Sequence, residues 1–282
     1  YAAKAEGRNR FSYFSPAMQQ RALQHLQLGK DLRKALARGE LSLHYQPILH
    51  LASGRVRKAE ALLRWAHPER GNIPPGEFIP VAEELGLIDA IGHWCLVAAC
   101  RQLRAWQEQG VPVPRVAVNV SARQLRRWDF AQEVLQVVTQ SGIDPAGLEL
   151  ELTESSLADD PEQILAIFST LRQAGVRVSI DDFGTGYSSL SYLERLPADR
   201  LKIDRSFMLS LANGDAGGRI ARTIIVLGRE LGLTVLAEGV ESEAVAAEVA
   251  ALGCAEAQGF HYARPMSEEA LVAWLQAREG AA

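Results

Sequence analysis

The chain has 282 residues, of which 48% are hydrophobic and 23% are charged, and its formal net charge is −4. This is the composition of a globular protein with one large core, and the weakly acidic balance excludes a broad basic surface for duplex nucleic acid. The longest apolar run, near residues 87–100, includes Asp89 and is too short to cross a bilayer. The sequence shows no signal peptide, and its three cysteines have no metal-type spacing. We therefore expect reduced thiols and a cytoplasmic location.

The first forty residues precede the predicted sheet. The chain begins at Tyr1 rather than at Met, so we expect a piece of a longer protein, whose missing N-terminal region leaves room for a membrane anchor. Residues 11–14 are predicted as a short strand, and disorder is the alternative for the first ten residues. Residues 16–37 have a helical pattern, and we expect this helix to connect two domains. Its leucines lie near one stripe: Leu23, Leu26, Leu32 and Leu36.

Eight apolar segments then follow, and we predict them as strands: 42–48, 55–65, 115–120, 147–152, 176–181, 199–204, 233–238 and 253–258. Helical patterns lie between most of them: 79–86 with 90–109, 130–140, 161–174, 187–195, 215–231, 242–252 and 267–277. This alternation predicts a parallel sheet, which eight strands can close as a barrel. The connection at 50–54 is too short for a parallel crossover and must be a hairpin. The predicted fold is an α/β protein, a modified TIM (β/α)8 barrel with an antiparallel first strand.

Side-chain alternation predicts a charged barrel interior. Residues two apart in a strand share a face, so Lys58, Glu149 and Arg177 fall on the polar face of their strands, opposite the face that helices cover. An isolated buried charge is very costly. We therefore expect these three residues to form an ion-pair network beneath the functional site.

Oxygen-bearing side chains stand at the ends of successive strands, where a β/α barrel has its active site. Hard cations such as Mg²⁺ and Mn²⁺ prefer carboxylate and amide oxygens, and the histidines lack the spacing of a zinc site. Lys202 can orient water or neutralise charge on a phosphate, and Arg64 has the fork geometry that suits a phosphate. We expect one ion at Glu60, Asn119, Glu151 and Asp181, and a second ion or its waters at Asp182 and Glu238.

Each of these residues also has a simpler reading. Acidic residues at strand ends are often helix caps, and Glu154 is one such case. Lys202 can be a plain interior ion-pair partner, and Gln46 and Gln258 can be hydrogen-bonded core amides. Convergence of so many strand ends favours the metal site. The glycines that follow Asp181 and Asp182 predict a mobile loop with a gating role, although an ordinary strand-to-helix turn explains them as well.

Nine motifs resemble, in the same order, those of the EAL-domain family of cyclic di-GMP phosphodiesterases. The resemblance covers roughly residues 40–277. The motifs are Tyr45-Gln46-Pro47, Glu60-Ala61-Leu62, Phe78-Ile79-Pro80, Asn119-Val120-Ser121, Glu151-Leu152-Thr153-Glu154, Asp181-Asp182-Phe183-Gly184, Lys202-Ile203-Asp204, Glu238-Gly239-Val240-Glu241 and Gln258-Gly259-Phe260.

The resemblance implies a modified barrel and cleavage of cyclic di-GMP to linear pGpG with two Mg²⁺ or Mn²⁺ ions, with Ca²⁺ supporting binding without turnover. It implies the metal ligands Glu60, Asn119, Glu151, Asp181 and Asp182. It assigns water activation to Lys202 and Glu238 without settling which is the base, and an active-site position to Gln258. It implies that Gln46, Leu62 and Arg64 contact substrate and that Glu154 anchors the loop from Asp181 to Leu190.

The first residues resemble the end of a GGDEF (diguanylate cyclase) domain through the run from Ala3 to Arg10. The expected organisation is a GGDEF remnant at 1–20, a linker helix at 21–40 and the EAL domain at 41–282. The resemblance also implies a homodimer that uses the loop after Asp181 and the helix that follows.

Two other functions stay open at this point. The first is a non-catalytic receptor for cyclic di-GMP; such members of the family usually lack a metal ligand, and none is missing here. The second is a metal-dependent barrel enzyme that cleaves another phosphodiester.

Overall fold

The computed structural model describes residues 16–158, 160–186, 190–213 and 216–279. The chain divides into two compact units, a smaller one made of residues 1–41 and 65–87 and a larger one made of residues 42–64 and 88–282. The strand predicted at 11–14 and residues 1–15 of the predicted GGDEF remnant (1–20) lie outside the described residues.

Eight strands form a closed barrel. They are β1 (Leu41–His50), β2 (Val56–His67), β4 (Val116–Asn119), β5 (Leu148–Thr153), β6 (Arg177–Phe183), β7 (Arg200–Ile203), β8 (Thr234–Ala237) and β9 (Glu256–Ala257). Their order is β1-β9-β8-β7-β6-β5-β4-β2, and β2 pairs with β1 to complete the ring. β1 is antiparallel to β9, whereas the other pairs between β2 and β9 in this ring are parallel. β1 is therefore antiparallel to its neighbours, and the predicted fold is confirmed.

Most helices of the described segments lie between successive strands, as the alternation predicted. They are α1 (Pro16–Arg38), α2 (Pro75–Glu84), α3 (Ile88–Glu108), α4 (Ala122–Leu125), α5 (Phe130–Ser141), α6 (Pro161–Gln173), α7 (Leu190–Arg195), α8 (Arg205–Asn213), α9 (Ala216–Glu230), α10 (Glu243–Ala251) and α11 (Glu268–Glu279). Single 3-10 turns cover Pro145–Gly147 and Glu154–Ala158. None of the described helices has both the length and the apolar character to cross a membrane.

Capping side chains fix where several helices begin after the strands. Ser121 and Gln124 form a reciprocal capping box at the start of α4, directly after β4. The side chain of Asp160 accepts from the Gln163 amide at the start of α6, where Pro161 is the first helical residue. These local signals set the strand-to-helix turns that surround the site.

The smaller unit contains α1, α2 and the short strand β3 (Gly71–Ile73), which pairs with the end of β2. The Trp65 ring packs edge-on against Phe78, with centroids 5.5 Å apart, and its indole nitrogen donates to Glu40 at 3.0 Å. Helix α1 buries Leu28 and Leu32, whereas Leu23 and Leu26 are more than half exposed. The first two leucines of the predicted stripe therefore lie outside the buried part of α1.

The barrel interior of the larger unit is charged, as the alternation predicted. Lys58 and Glu149 are fully buried and form an ion pair, which confirms that part of the predicted network. The third member was wrong: Arg177 is half exposed and donates to Asp199 at 2.7 Å. Arg200 takes its place, because its guanidinium hydrogen-bonds Glu149.

The remaining differences concern short elements. Sequence patterns missed β3, α4 and α8, and β9 is shorter than the predicted strand at 253–258. The three cysteines are free and buried, as expected for reduced thiols, and burial raises the pKa of each thiol to about 12.

Removal of the carboxylate charge of Glu149 tests the interior network. Glu149→Gln leaves the cations of Lys58 and Arg200 undercompensated, so we expect a loss of about 3–5 kcal/mol in the free energy of unfolding. The measurement is urea denaturation at pH 7. The matched control is Arg177→Gln, which removes an ion pair whose guanidinium is half exposed and should cost less than about 1 kcal/mol. Equal losses in the two variants would contradict this assignment of the interior ion pairs.

Candidate active site and metal centre

Adjacent strand ends bring the predicted ligands together at one end of the barrel. Asn119, the last residue of β4, is the register partner of Glu151 in β5. Asp181 in β6 lies opposite Thr153, two residues further along β5. Glu60 in β2 lies opposite Ala117, two residues before the end of β4. Because parallel strands place their carboxyl ends on one rim, residues scattered along the sequence share one site.

The acidic residues form two groups that share Asp181. Carboxylate oxygens of Glu60, Glu151 and Asp181 lie within 4.8 Å of one another. Oxygens of Asp181, Asp182 and Glu238 satisfy the same limit. Glu60, Glu151 and Asp181 are buried, whereas Asp182 and Glu238 are partly exposed. The site therefore has two adjoining sets of oxygen donors, one deeper than the other.

The ammonium group of Lys202 lies at the centre of these carboxylates. Its Nζ is 2.7 Å from Glu151, 2.8 Å from Glu238 and 3.0 Å from Asp181. Glu60 is 3.7 Å away. Lys202 is fully buried, so its charge is compensated by these carboxylates rather than by solvent.

Burial and crowding shift the protonation of this cluster. Burial raises the pKa of Glu238 well above its ordinary value, Lys202 opposes that rise, and the neighbouring Asp181 adds to it. Burial also raises the pKa of Glu151, and the positive charge of Lys202 opposes that rise. Burial by itself would lower the pKa of Lys202, but the carboxylates around it raise that pKa well above its ordinary value. Lys202 is therefore an ammonium ion at neutral pH.

Asp182 is held in an unusual backbone conformation. Its φ is 52°, and among the described residues it is the only one besides glycine with a positive φ. Burial, together with the carboxylates of Asp181 and Asp204, raises the pKa of Asp182 to about 6. Strained backbone of this kind persists where the surrounding structure enforces it, and it clusters at functional sites.

Amide side chains connect the deeper group to the neighbouring strands. The Asn119 amide nitrogen donates to Glu60 Oε1 at 2.8 Å. The Gln258 amide nitrogen donates to Glu60 Oε2 at 2.6 Å and lies 2.8 Å from Gln46 Oε1, and the Gln46 amide in turn donates to the Ala263 carbonyl. These hydrogen bonds fix the orientation of the Glu60 carboxylate.

The donor set fits a hard divalent cation. Every candidate ligand offers oxygen, which Mg²⁺ and Mn²⁺ prefer. The buried Glu151 Oε1 accepts no hydrogen bond from the described residues, and Lys58 Nζ lies 3.6 Å from it. An orphaned buried acceptor of this kind is consistent with a ligand position that a cation completes.

Glu154 lies against the loop that follows β6. Its carboxylate accepts from the Gly184 amide at 2.8 Å and from the Gly186 amide at 3.1 Å. Gly184 has a φ of 99°, which other residues rarely adopt. Residues 187–189, the remainder of the predicted gating loop, lie outside the described residues.

A cleft of about 300 Å³ opens above the carboxylates. Gln46, Leu62 and Gln258 line it together with Glu60, Asp181 and Glu238. Arg64, predicted to contact substrate, is partly buried and donates to the Leu63 carbonyl at 2.9 Å.

Sequence reasoning gave no role to several residues that line this cleft, among them Arg205 and Phe260. The Arg264 guanidinium lies 4.1 Å from the centre of the Phe260 ring, which is about half exposed. Gly259 approaches the backbone so closely that a Cβ would lie 2.1 Å from the Val240 carbonyl oxygen. Phe260 belongs to a motif that the sequence analysis quoted, but no periodicity marked its side chain.

The chain belongs to the EAL domain family, whose model matches residues 30–265. It is 46% identical to the bifunctional diguanylate cyclase/cyclic di-GMP phosphodiesterase MucR of Pseudomonas aeruginosa, over 97% of this chain and 40% of MucR. It is 42% identical to the cyclic di-GMP phosphodiesterase PdeR of Escherichia coli, over 98% of this chain and 42% of PdeR. The chain thus spans less than half the length of these curated relatives.

Solved structures show the same barrel. A structure described as a PaMucR phosphodiesterase in complex with c-di-GMP has a TM-score of 0.84 and 47% identity, and the match covers 87% of this chain and 99% of that one. The EAL enzyme Bd1971 in its cGMP-bound form has a TM-score of 0.85 and 30% identity, over 91% of this chain and 71% of that one.

Replacement of Lys202 tests the electrostatic balance of the site. In Lys202→Gln the surrounding carboxylates lose their internal cation, so in EDTA we expect a loss of about 3–5 kcal/mol in the free energy of unfolding. Added Mn²⁺ should raise the melting temperature of the variant more than that of the parent protein, because it restores a cation to the cluster. The measurement is thermal unfolding with and without Mn²⁺.

The control is Lys34→Gln, which changes an exposed lysine of α1 and should behave like the parent protein. A Lys202→Gln protein as stable as the parent in EDTA would show that Lys202 does not balance these carboxylates.

Proposed function

We propose that this domain hydrolyses cyclic di-GMP to linear pGpG with two Mg²⁺ or Mn²⁺ ions. The observation that carries the proposal is the pair of adjoining carboxylate groups that share Asp181 at the floor of a cleft. Membership of the EAL domain family and the names of the most similar relatives support the choice of substrate.

The deeper ion would be held by Glu60, Asn119, Glu151 and Asp181, and the second by Asp181 and Asp182. When bound, two such ions polarise the scissile phosphate and lower the pKa of water. We expect Ca²⁺ to occupy the site without supporting turnover.

We assign the proton acceptor to Glu238 and a positioning role to Lys202. Glu238 lines the cleft and its side chain is 17% exposed, so a water in the cleft can reach it. Lys202 is fully buried, and its ammonium already contacts three carboxylates. Water adds to phosphorus as its proton passes to the ionised carboxylate of Glu238, whose raised pKa makes it a stronger base. The bond to the 3′ oxygen breaks, and this oxygen takes up a proton from solvent, which leaves a 5′ phosphate and a free 3′ hydroxyl.

Gln46, Leu62, Arg64 and Gln258 are proposed to contact the substrate. Leu62 offers an apolar surface in the cleft, and Gln46 and Gln258 offer amide groups beside Glu60. Arg64 lies two residues after Leu62 in the same strand, and its guanidinium fork suits a phosphate. The full-length protein is proposed to carry an upstream GGDEF domain, to act in the cytoplasm and to form homodimers.

Substitution of Glu60 tests the proposed activity. Glu60→Gln removes a ligand charge while keeping the size of the side chain. We expect turnover of cyclic di-GMP to fall about a thousandfold, and EDTA should abolish the activity of the parent protein. The measurement is the release of pGpG, followed by chromatography with Mg²⁺ or Mn²⁺ present.

Glu108→Gln, which changes an exposed carboxylate on α3, is the control and should retain full activity. A parent protein that binds cyclic di-GMP in the presence of either metal yet never cleaves it would favour the receptor function instead.

Substitution of Glu154 tests the loop anchor. Glu154→Ala removes the acceptor of two loop amides, so the Asp182–Gly186 segment loses its fixed position. We expect kcat to fall about tenfold or more. The measurement is steady-state kinetics together with a melting curve. Unchanged kcat in a folded variant would contradict the anchoring role.

A further inference from the structure

A second polar pocket lies at the opposite end of the barrel from the carboxylate cluster. Its volume is about 320 Å³, and it lies where strands β6, β7 and β8 begin. Arg177 and Arg200 are the first residues of β6 and β7. Arg115 directly precedes β4, and Arg172 lies in the last turn of α6. Four guanidinium groups therefore line one small pocket that the proposed reaction does not use.

The floor of this pocket is electrically balanced. Arg200 is buried and pairs with two buried carboxylates, donating to Glu149 and, at 3.1 Å, to Glu256. Lys58 also forms an ion pair with Glu149, from the interior side of the barrel. Two cations and two carboxylates thus neutralise one another beneath the pocket.

The mouth of the pocket is not balanced. Arg177 Nη1 lies 2.7 Å from Asp199 Oδ1, and Arg172 Nε lies 3.7 Å from the same oxygen. Arg115 donates to the Ala146 carbonyl. Among the described residues, the carboxylate nearest to Arg115 is that of Glu149 at 3.6 Å, and this carboxylate is already paired with Arg200 and Lys58. Arg115, Arg172 and Arg177 therefore share one carboxylate, that of Asp199, which leaves an excess of two positive charges at the mouth.

Further observations indicate that this charge is not relieved within the described part of the chain. The buried Arg177 Nε has no hydrogen-bond partner there. Burial lowers the pKa of Arg115, Glu149 opposes this, and the nearby Arg200 and Arg177 lower it further. A Cβ at Gly232, which also lines the pocket, would meet nothing within 4 Å, so there is open space beside the arginines.

We propose that this arginine pocket binds a dianionic phosphate group, either free phosphate or the phosphomonoester of a small molecule. The charge of such a group matches the excess at the mouth. Guanidinium forks bind phosphate oxygens through paired hydrogen bonds. The proposal is independent of the proposed hydrolysis, because none of the pocket residues belongs to the carboxylate cluster.

Calorimetry on the metal-free domain in EDTA tests the pocket. Inorganic phosphate and guanosine 5′-monophosphate are titrated separately at pH 7.5, with NaCl keeping the ionic strength constant. Without metal the acidic cluster repels anions, so binding reports on the arginine pocket. Tighter binding of the nucleotide would identify a phosphomonoester as the ligand, and equal or weaker binding would identify free phosphate; both results support the site.

Two variants move the affinity in opposite directions. Arg172→Gln with Arg177→Gln removes both half-exposed donors, so phosphate affinity should fall about tenfold or more. Asp199→Asn removes the competing charge and keeps an acceptor for the Val178 amide, so affinity should rise about threefold. The control is Arg101→Gln with Arg104→Gln on α3, which should bind like the parent.

Absence of phosphate binding above the NaCl background in the parent protein would overturn the proposal. Unchanged affinity in the double variant would do the same. If either of these variants fails to fold, Arg172→Gln alone, at a half-exposed position, should still weaken binding; unchanged affinity there would also overturn the site.

Discussion

The arrangement of the site depends on one buried ammonium group. Glu60, Glu151, Asp181 and Glu238 meet within a few ångströms, and without compensation their mutual repulsion would oppose folding of the strand ends that carry them. Lys202 supplies that compensation from the centre of the cluster. The fold can therefore hold these oxygen ligands together in its interior before any metal ion is bound. This preorganisation is what a metal centre built on rigid strands requires.

The same electrostatic constraint extends along the barrel interior as a column of alternating charge. Lys202 contacts Glu151, Glu151 lies 3.6 Å from Lys58, Lys58 pairs with Glu149, and Glu149 pairs with Arg200. Each charge is buried, and each of these pairs joins two strands that have one other strand between them in the barrel. An ordinary β/α barrel fills this space with apolar layers. Here apolar packing lies outside the strands, against the helices, and ion pairs occupy the inside.

Much of this architecture could be predicted because it follows from short-range rules. The five-residue connection after β1 forces a hairpin, and alternation along β5 places Glu149 and Glu151 on one face. Arg177 and Arg200 are both first residues of their strands, but the Arg177 guanidinium donates to Asp199 at 2.7 Å and so stays at the rim, away from Glu149. Arg200 lies two residues before Lys202, so the same alternation places it inward. Arg205 is the first residue of α8, and Phe260 lies in a turn after β9, so no strand alternation indicates the direction of either side chain.

The two ends of the barrel carry opposite imbalances, and the interior column explains why both can exist. Carboxylates exceed cations at the end where the strands finish, and guanidinium groups exceed carboxylates at the end where β6, β7 and β8 begin. A buried excess of either sign is costly unless a counter-ion or solvent reaches it. The alternating pairs between the ends neutralise the deep charges and leave each excess at an opening of the fold. Each end therefore attracts ligands of opposite charge to itself, cations at one and anions at the other.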